Sequence, residues 1–221
     1  MSLIAVENLN FAYPGRPSLW RNLNFILAPG QRIGLWGSNG CGKSTLFNIL
    51  MGLTVPQSGQ IWLEGRLCVT PADFARQRTR LGYAFQDPDD QLFCSTVLED
   101  VAFGPLNLGH SREEAGRLSS QALAVFGLGG FEKRITYHLS GGEKRLASLA
   151  AVWAMQPQAL LLDEPHVSLD ELGLKNLKEA LRACGLPWLM ASHDRAFLES
   201  TCNQIWEVGQ GEINAVISCF T

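Results

Sequence analysis

The stretch GSNGCGKST, residues 37–45, sets three glycines within six positions ahead of Lys43, Ser44 and Thr45. Glycine costs backbone entropy and fills no core, so such density asks what comes so close to this backbone. Residues 32–36 read as a short buried strand and residues 46–50 as a helix. Strand, turn and helix match G-x-x-x-x-G-K-[ST], with Gly37, Gly42, Lys43 and Ser44 at the fixed positions. Free N–H groups at a helix start carry positive partial charge and converge on an anion. The backbone of Ser38, Asn39, Gly40 and Cys41 can then wrap a polyphosphate, with Lys43 on its terminal groups and the Ser44 hydroxyl suited to Mg²⁺.

Bulk composition narrows the class. A chain of 221 residues can bury a good core, and 46% hydrophobic with 18% charged residues describes an ordinary globular protein. The net charge is −3 and no Lys/Arg run exceeds two, so a broad nucleic-acid-binding face is not expected. The N-terminus has no basic leader and is broken by Glu7 and Pro14, unlike a signal peptide. The longest largely apolar run, residues 146–155, is about half a membrane span. Six cysteines at 41, 68, 94, 184, 202 and 219 form no CxxC pair, and the four histidines lack ligand spacing. Reduced thiols are expected, without a zinc site.

Residues 1–36 alternate apolar and polar with turns at Pro14-Gly15 and Pro29-Gly30, which predicts antiparallel strands, and 59–65 adds another. Residues 81–85, 159–162 and 187–191 are short apolar runs of the buried parallel type. Helical periodicity marks 113–126 and 143–155, and 205–217 reads as a hairpin. The expected fold is α/β: a parallel P-loop core with an antiparallel β subdomain (1–87 and 158–221) and a helical insertion (88–157).

A second constellation is Ala159-Leu-Leu-Leu-Asp163-Glu164-Pro165. A buried strand ending in two acids puts them where an open α/β sheet binds ligands. Asp163 suits Mg²⁺, and Glu164 suits a general base on the attacking water. A third is Leu139-Ser-Gly-Gly-Glu143. Ser140 and Glu143 form a capping box, while Gly141 and Gly142 open the backbone to an anion; one helix N-terminus can serve both purposes.

With these motifs in order, the chain resembles the nucleotide-binding subunits of ATP-binding-cassette (ABC) transporters over essentially its whole length. The order comprises Tyr13, the phosphate loop, Gln86 after a strand, the LSGGE signature, the strand ending at Asp163-Glu164, Ser168-Leu169-Asp170 and His193. Residues 85–93 and 99–105 look like the energy-coupling-factor and cobalt/nickel importer ATPases. The resemblance implies ATP and Mg²⁺ as ligands, and Tyr13 stacking on adenine. It implies Gln86 at Mg²⁺ or the lytic water, with His193 on the γ-phosphate. Glu164 would act as base, and Ser140, Gly141 and Gly142 would contact the nucleotide of a second subunit.

It further implies a homo- or heterodimer and a transmembrane subunit docked on the helical subdomain through Gln91, Leu92 and Phe93. The place would be the cytoplasmic membrane face, and the cargo cobalt, nickel or a vitamin such as biotin. Other ABC transporters, exporters included, or a soluble ABC ATPase are the alternatives. Three departures from the resemblance stand out: His166 where the family usually has a small polar residue, Leu146 where many of its members carry arginine, and an end soon after the hairpin, from which a more nucleotide-dependent dimerisation is expected.

Overall fold

A computed structural model describes residues 2–209 and 211–218, so Gln210 in the expected hairpin and Cys219 lie outside the described residues. The chain divides into two compact units, residues 1–81, 159–163 and 186–221, and residues 82–158 and 164–185.

The first unit holds an antiparallel sheet in the order β2-β1-β4-β5: β1 (Ile4–Phe11), β2 (Trp20–Leu27), β4 (Ser58–Leu63) and β5 (Arg66–Leu67). Alternation places Ile4, Val6, Leu9, Leu23, Phe25 and Leu27 inside. Register shifts between Val6, Leu9 and Phe11 mark irregularities in the β1–β2 pairing. There Asn8 and Asn22 take the left-handed backbone that asparagine tolerates, at φ 51° and 46°.

Its second sheet has β3 (Arg32–Trp36) between β9 (Gln204–Gly209) and β8 (Trp188–Ser192), with β7 (Ala159–Asp163) beyond β8 and β10 (Glu212–Ser218) beyond β9. β7 and β8 are buried at every position, as parallel strands covered on both faces must be. Leu35 pairs with Ala191, and Ala191 with Asp163, so β3, β8 and β7 end level at their carboxyl edge. Helices α1 (Lys43–Leu50), α2 (Pro71–Arg78) and α7 (Arg195–Thr201) complete the unit. α2 begins with a Thr70/Asp73 capping box and Pro71 in its first turn.

β6 (Leu81–Ala84) leads into the second unit, which is built on α3 (Val97–Asn107), α4 (Arg112–Val125), α5 (Gly141–Ala154) and α6 (Glu171–Cys184). α3, α4 and α5 pack pairwise. Buried in that unit are Val97, Val101, Leu118, Leu123, Leu149 and Ala150. Each helix starts with a side-chain cap, from Thr96, Ser111, Ser140 and Asp170 respectively. α6 is tied in by Asn176, whose amide donates to the Phe126 carbonyl at 3.3 Å. Residues 164–185 therefore pack with the helices, although the sequence pattern groups them with the strands around them.

Candidate functional site

The phosphate loop runs from the end of β3 into α1. Lys43 is 6% exposed, and its Nζ donates to the carbonyls of Gly37 (2.7 Å) and Ser38 (3.1 Å) and lies 3.7 Å from Cys41 Sγ. The ammonium is thus folded over the loop it serves. The glycines divide their work. A Cβ on Gly37 would stand 2.5 Å from the Val208 carbonyl, and one on Gly42, at φ 110°, would press on Leu19 and the Trp20 ring at 3.0–3.1 Å. A Cβ on Gly40 would have nothing within 4 Å, but its φ of 80° is the left-handed backbone that glycine adopts without strain. Gly37 and Gly42 are therefore required by close packing and Gly40 by its backbone conformation, with open space beside it.

Tyr13 reaches the same loop. Its hydroxyl is 3.1 Å from Thr45 Oγ1 and its ring meets Phe11 edge-on at 4.9 Å, while 41% of the residue stays exposed. An aromatic face held this way is available for a base to stack on. Asp163 is buried at the end of β7. His193 is exposed just past β8, and its carbonyl accepts the Trp36 indole N–H at 3.3 Å. The Arg195 guanidinium covers the Trp36 ring at 5.2 Å. The level ends of β3, β8 and β7 thus present the phosphate loop, His193 and Asp163 along one edge. Ser44 and Asp163 offer the hard oxygen donors that Mg²⁺ prefers, so the residues fit that ion.

The second unit carries the rest. Glu164 is buried and takes φ 47°, a left-handed conformation that costs a non-glycine residue about 1–3 kcal/mol. Such a strained, buried acid directly after Asp163 is the kind of outlier that accompanies function. Gln86 is exposed, and its loop is gripped by Arg145: the guanidinium, 2% exposed, donates to the Phe85 carbonyl at 2.6 Å and to the Gln86 carbonyl. Leu146 is buried, and Arg145 one position earlier makes the hold on the Gln86 loop. Sequence reading missed Arg145. The one signal available was an arginine displaced by a single residue.

At the signature the capping box is formed in full. Ser140 Oγ accepts from the Glu143 amide at 3.2 Å, and the Ser140 amide donates to the Glu143 carboxylate at 2.8 Å. That amide bond, with the Ser140 hydroxyl and Arg134 beside it, holds the Glu143 carboxyl below the ordinary range. A Cβ on Gly142 would come 2.8 Å from the Ser168 carbonyl, but on Gly141 it would meet only Ser168 Cβ, at 3.8 Å. Gly142 is thus explained by packing and Gly141, which is exposed, is not. Ser168 itself is left-handed, at φ 68°. His166 is half-buried and its carbonyl accepts from Leu169, closing the turn ahead of α6.

Of the three docking residues expected from the sequence, only Phe93 is exposed, at 66%, and it meets Phe103 edge-on at 4.8 Å. Leu92 is buried. Gln91 is turned inward, accepting from the Phe85 amide at 3.3 Å and donating to the Ser148 carbonyl at 2.8 Å. Leu92 is therefore corrected to a structural position, while Gln91 is half-buried. No helix among the described residues is long and apolar enough to cross a membrane.

A family profile described as ABC transporter matches residues 20–167. A putative ABC transporter ATP-binding protein of Brucella suis is 47% identical over 211 residues, covering 96% of this chain and 87% of that protein. The energy-coupling factor transporter ATP-binding protein EcfA of Methanocaldococcus jannaschii is 35% identical over 217 residues, covering 96% and 78%. Among solved structures, cbiO1 of Clostridium perfringens, part of the ABC transporter complex cbiONQ, superposes with a TM-score of 0.86 at 30% identity, covering 98% of this chain and 88% of that one. The chain belongs to the ABC transporter family and is an ATP-binding, ATP-hydrolysing cassette of it.

Proposed function

We propose that this cassette powers a membrane importer of the energy-coupling-factor kind, whose cargo is a transition-metal ion such as cobalt or nickel, or a vitamin. The likeness to EcfA and to cbiO1 supports the importer class. The observation that carries the chemistry is the level strand edge that sets the phosphate loop, Asp163 and His193 side by side, with the strained Glu164 next in the chain.

In this reading the amides of residues 38–45 and Lys43 hold the β- and γ-phosphates, and Tyr13 stacks on adenine. Ser44, Asp163 and Gln86 would hold Mg²⁺, which when bound neutralises charge on the phosphate oxygens. Glu164 accepts the proton of the attacking water, and His193 orients that water and the γ-phosphate. Two copies meet head to tail, so that each nucleotide lies between the loop of one and Ser140, Gly141 and Gly142 of the other. Binding closes the pair and hydrolysis releases it. The Phe93–Phe103 patch takes the transmembrane subunit, which places the cassette on the cytoplasmic face of the membrane as a peripheral protein.

The test is Glu164→Gln. The amide keeps the shape but cannot take a proton, so ATP binding should persist, turnover should fall at least about 10²-fold, and an ATP-bound dimer should accumulate. Phosphate release and light scattering read the two effects. Turnover near that of the unsubstituted chain would remove Glu164 from the base role.

A further inference from the structure

Asp100 lies in the first turn of α3, is not among the residues assigned to nucleotide, and is 4% exposed. A carboxylate is costly to bury unless each oxygen is satisfied. Here Oδ1 accepts from the backbone amides of Phe93 and Cys94, both at 2.8 Å, and Oδ2 accepts from the Thr136 hydroxyl at 2.7 Å. Thr136 is itself buried, and its carbonyl accepts the Leu139 amide, one residue ahead of Ser140.

The two segments joined through Asp100 are also laced by backbone. The amides of Thr136, Val97 and Leu98 donate to the carbonyls of Ser95, Arg134 and Glu132, and Thr96 bridges Ile135. A short, fully bonded path therefore runs from the exposed Phe93 to the cap of the signature helix. Charge-assisted bonds of this length are about twice as strong as neutral ones and fix geometry closely.

We propose that Asp100 and Thr136 are positioning residues that make the seat of Ser140 depend on the loop carrying Phe93, so that a load on the Phe93 patch reaches the nucleotide contact. This rests on the reading that Ser140–Gly142 meet the ATP held by a second copy. Asp100 is a positioning residue, since its carboxylate meets the Phe93 and Cys94 amides and the Thr136 hydroxyl.

The experiment uses the full chain carrying Glu164→Gln, with MgATP as the probe. Thr136→Val removes the hydroxyl at nearly constant shape. It should raise the MgATP concentration for half-maximal dimerisation about tenfold. Binding of a fluorescent ATP analogue to the monomer should not change, and Thr136→Ser should restore dimerisation. A merely structural bond would lower the melting temperature without this split.

Amide exchange at Phe93 and Cys94 gives a second measurement that needs no change at Thr136. It should slow when MgATP closes the dimer. Unchanged dimerisation in Thr136→Val, or exchange at Phe93 and Cys94 indifferent to MgATP, overturns the proposal. Ser140→Arg separates the two levels. If it dimerises normally with MgATP, the signature does not meet nucleotide, and both the reading and the inference fall.

Discussion

Cys41 and Cys94 are both half-buried thiols in different surroundings. Burial, and then the charge of Asp100, push the Cys94 thiol up to about 11. It should stay protonated and inert to maleimide at pH 8, with reaction rising only as pH approaches 11. Cys41 lies in the phosphate loop, 3.7 Å from Lys43 Nζ, so its alkylation should block the loop, with loss of ATPase activity and protection by MgATP. Mass spectrometry after brief labelling checks both. A labelled Cys94 with Cys41 untouched would reverse the assignment. The two signature glycines make a sharper pair. Gly142→Ala meets the Ser168 backbone and should cost about 1–3 kcal/mol by overpacking. Gly141→Ala has room, and alanine's better helix propensity should leave stability unchanged or raise it by up to about 1 kcal/mol. If Gly141 faces nucleotide, ATPase activity of Gly141→Ala falls while the melt holds. Equal loss of stability in both variants would contradict the packing described.

At the scale of the element, α5 is the helix on which most of the second unit's chemistry is hung. Its cap carries the signature, and Arg145 and Ser148 hold the Gln86 loop, with Lys144 on Asp89 at 2.6 Å. Arg145→Met should leave two carbonyls without their donor and cost about 2–3 kcal/mol. Because it frees the Gln86 loop and leaves the phosphate loop intact, kcat should drop with little change in KM for ATP. A variant with unaltered kcat would mean that Gln86 needs no anchoring. The cap also has a pH signature. Glu143 titrates lower in the folded chain than in the unfolded one, so its contribution is fully present above about pH 4–5 and is lost as pH falls through the folded value. Thermal melts should show Glu143→Gln losing stability relative to the parent at pH 7, with the difference closing toward pH 3. All of α5 but this anchoring was legible beforehand: S-x-x-E predicts the cap, and the apolar spacing predicts the helix. Its long-range hold on residues 85–91 was not, because bonds across some sixty positions leave no local pattern.

For the whole molecule, the expected partner surface can be tested through its exposed aromatic. Phe93→Asp adds charge to a patch also containing Phe103 and Leu106, which are 44% and 42% exposed. The isolated chain should keep its fold and its ATP binding, while co-purification of transmembrane subunits from the native membrane should be lost. Retention of those subunits would move the docking surface elsewhere.

What the sequence by itself determined is whatever a short window of residues dictates. The phosphate loop follows from glycines, a lysine and a helix start within nine positions. The buried parallel strands follow from unbroken apolar runs, and the signature cap from residues three apart. The resemblance carried by those motifs named the family, which the comparisons then showed. Tertiary structure alone decided which partner each residue meets. It showed that Gly37 and Gly42 are demanded by Val208, Leu19 and Trp20, and that Leu92 is covered. It brought Asp100 to Phe93, Cys94 and Thr136, and put Arg145 in charge of the Gln86 loop. The reason is geometric. One residue along a helix turns a side chain by about 100°, so whether position 145 or 146 faces a distant loop depends on how α5 is packed, not on the residues next to it.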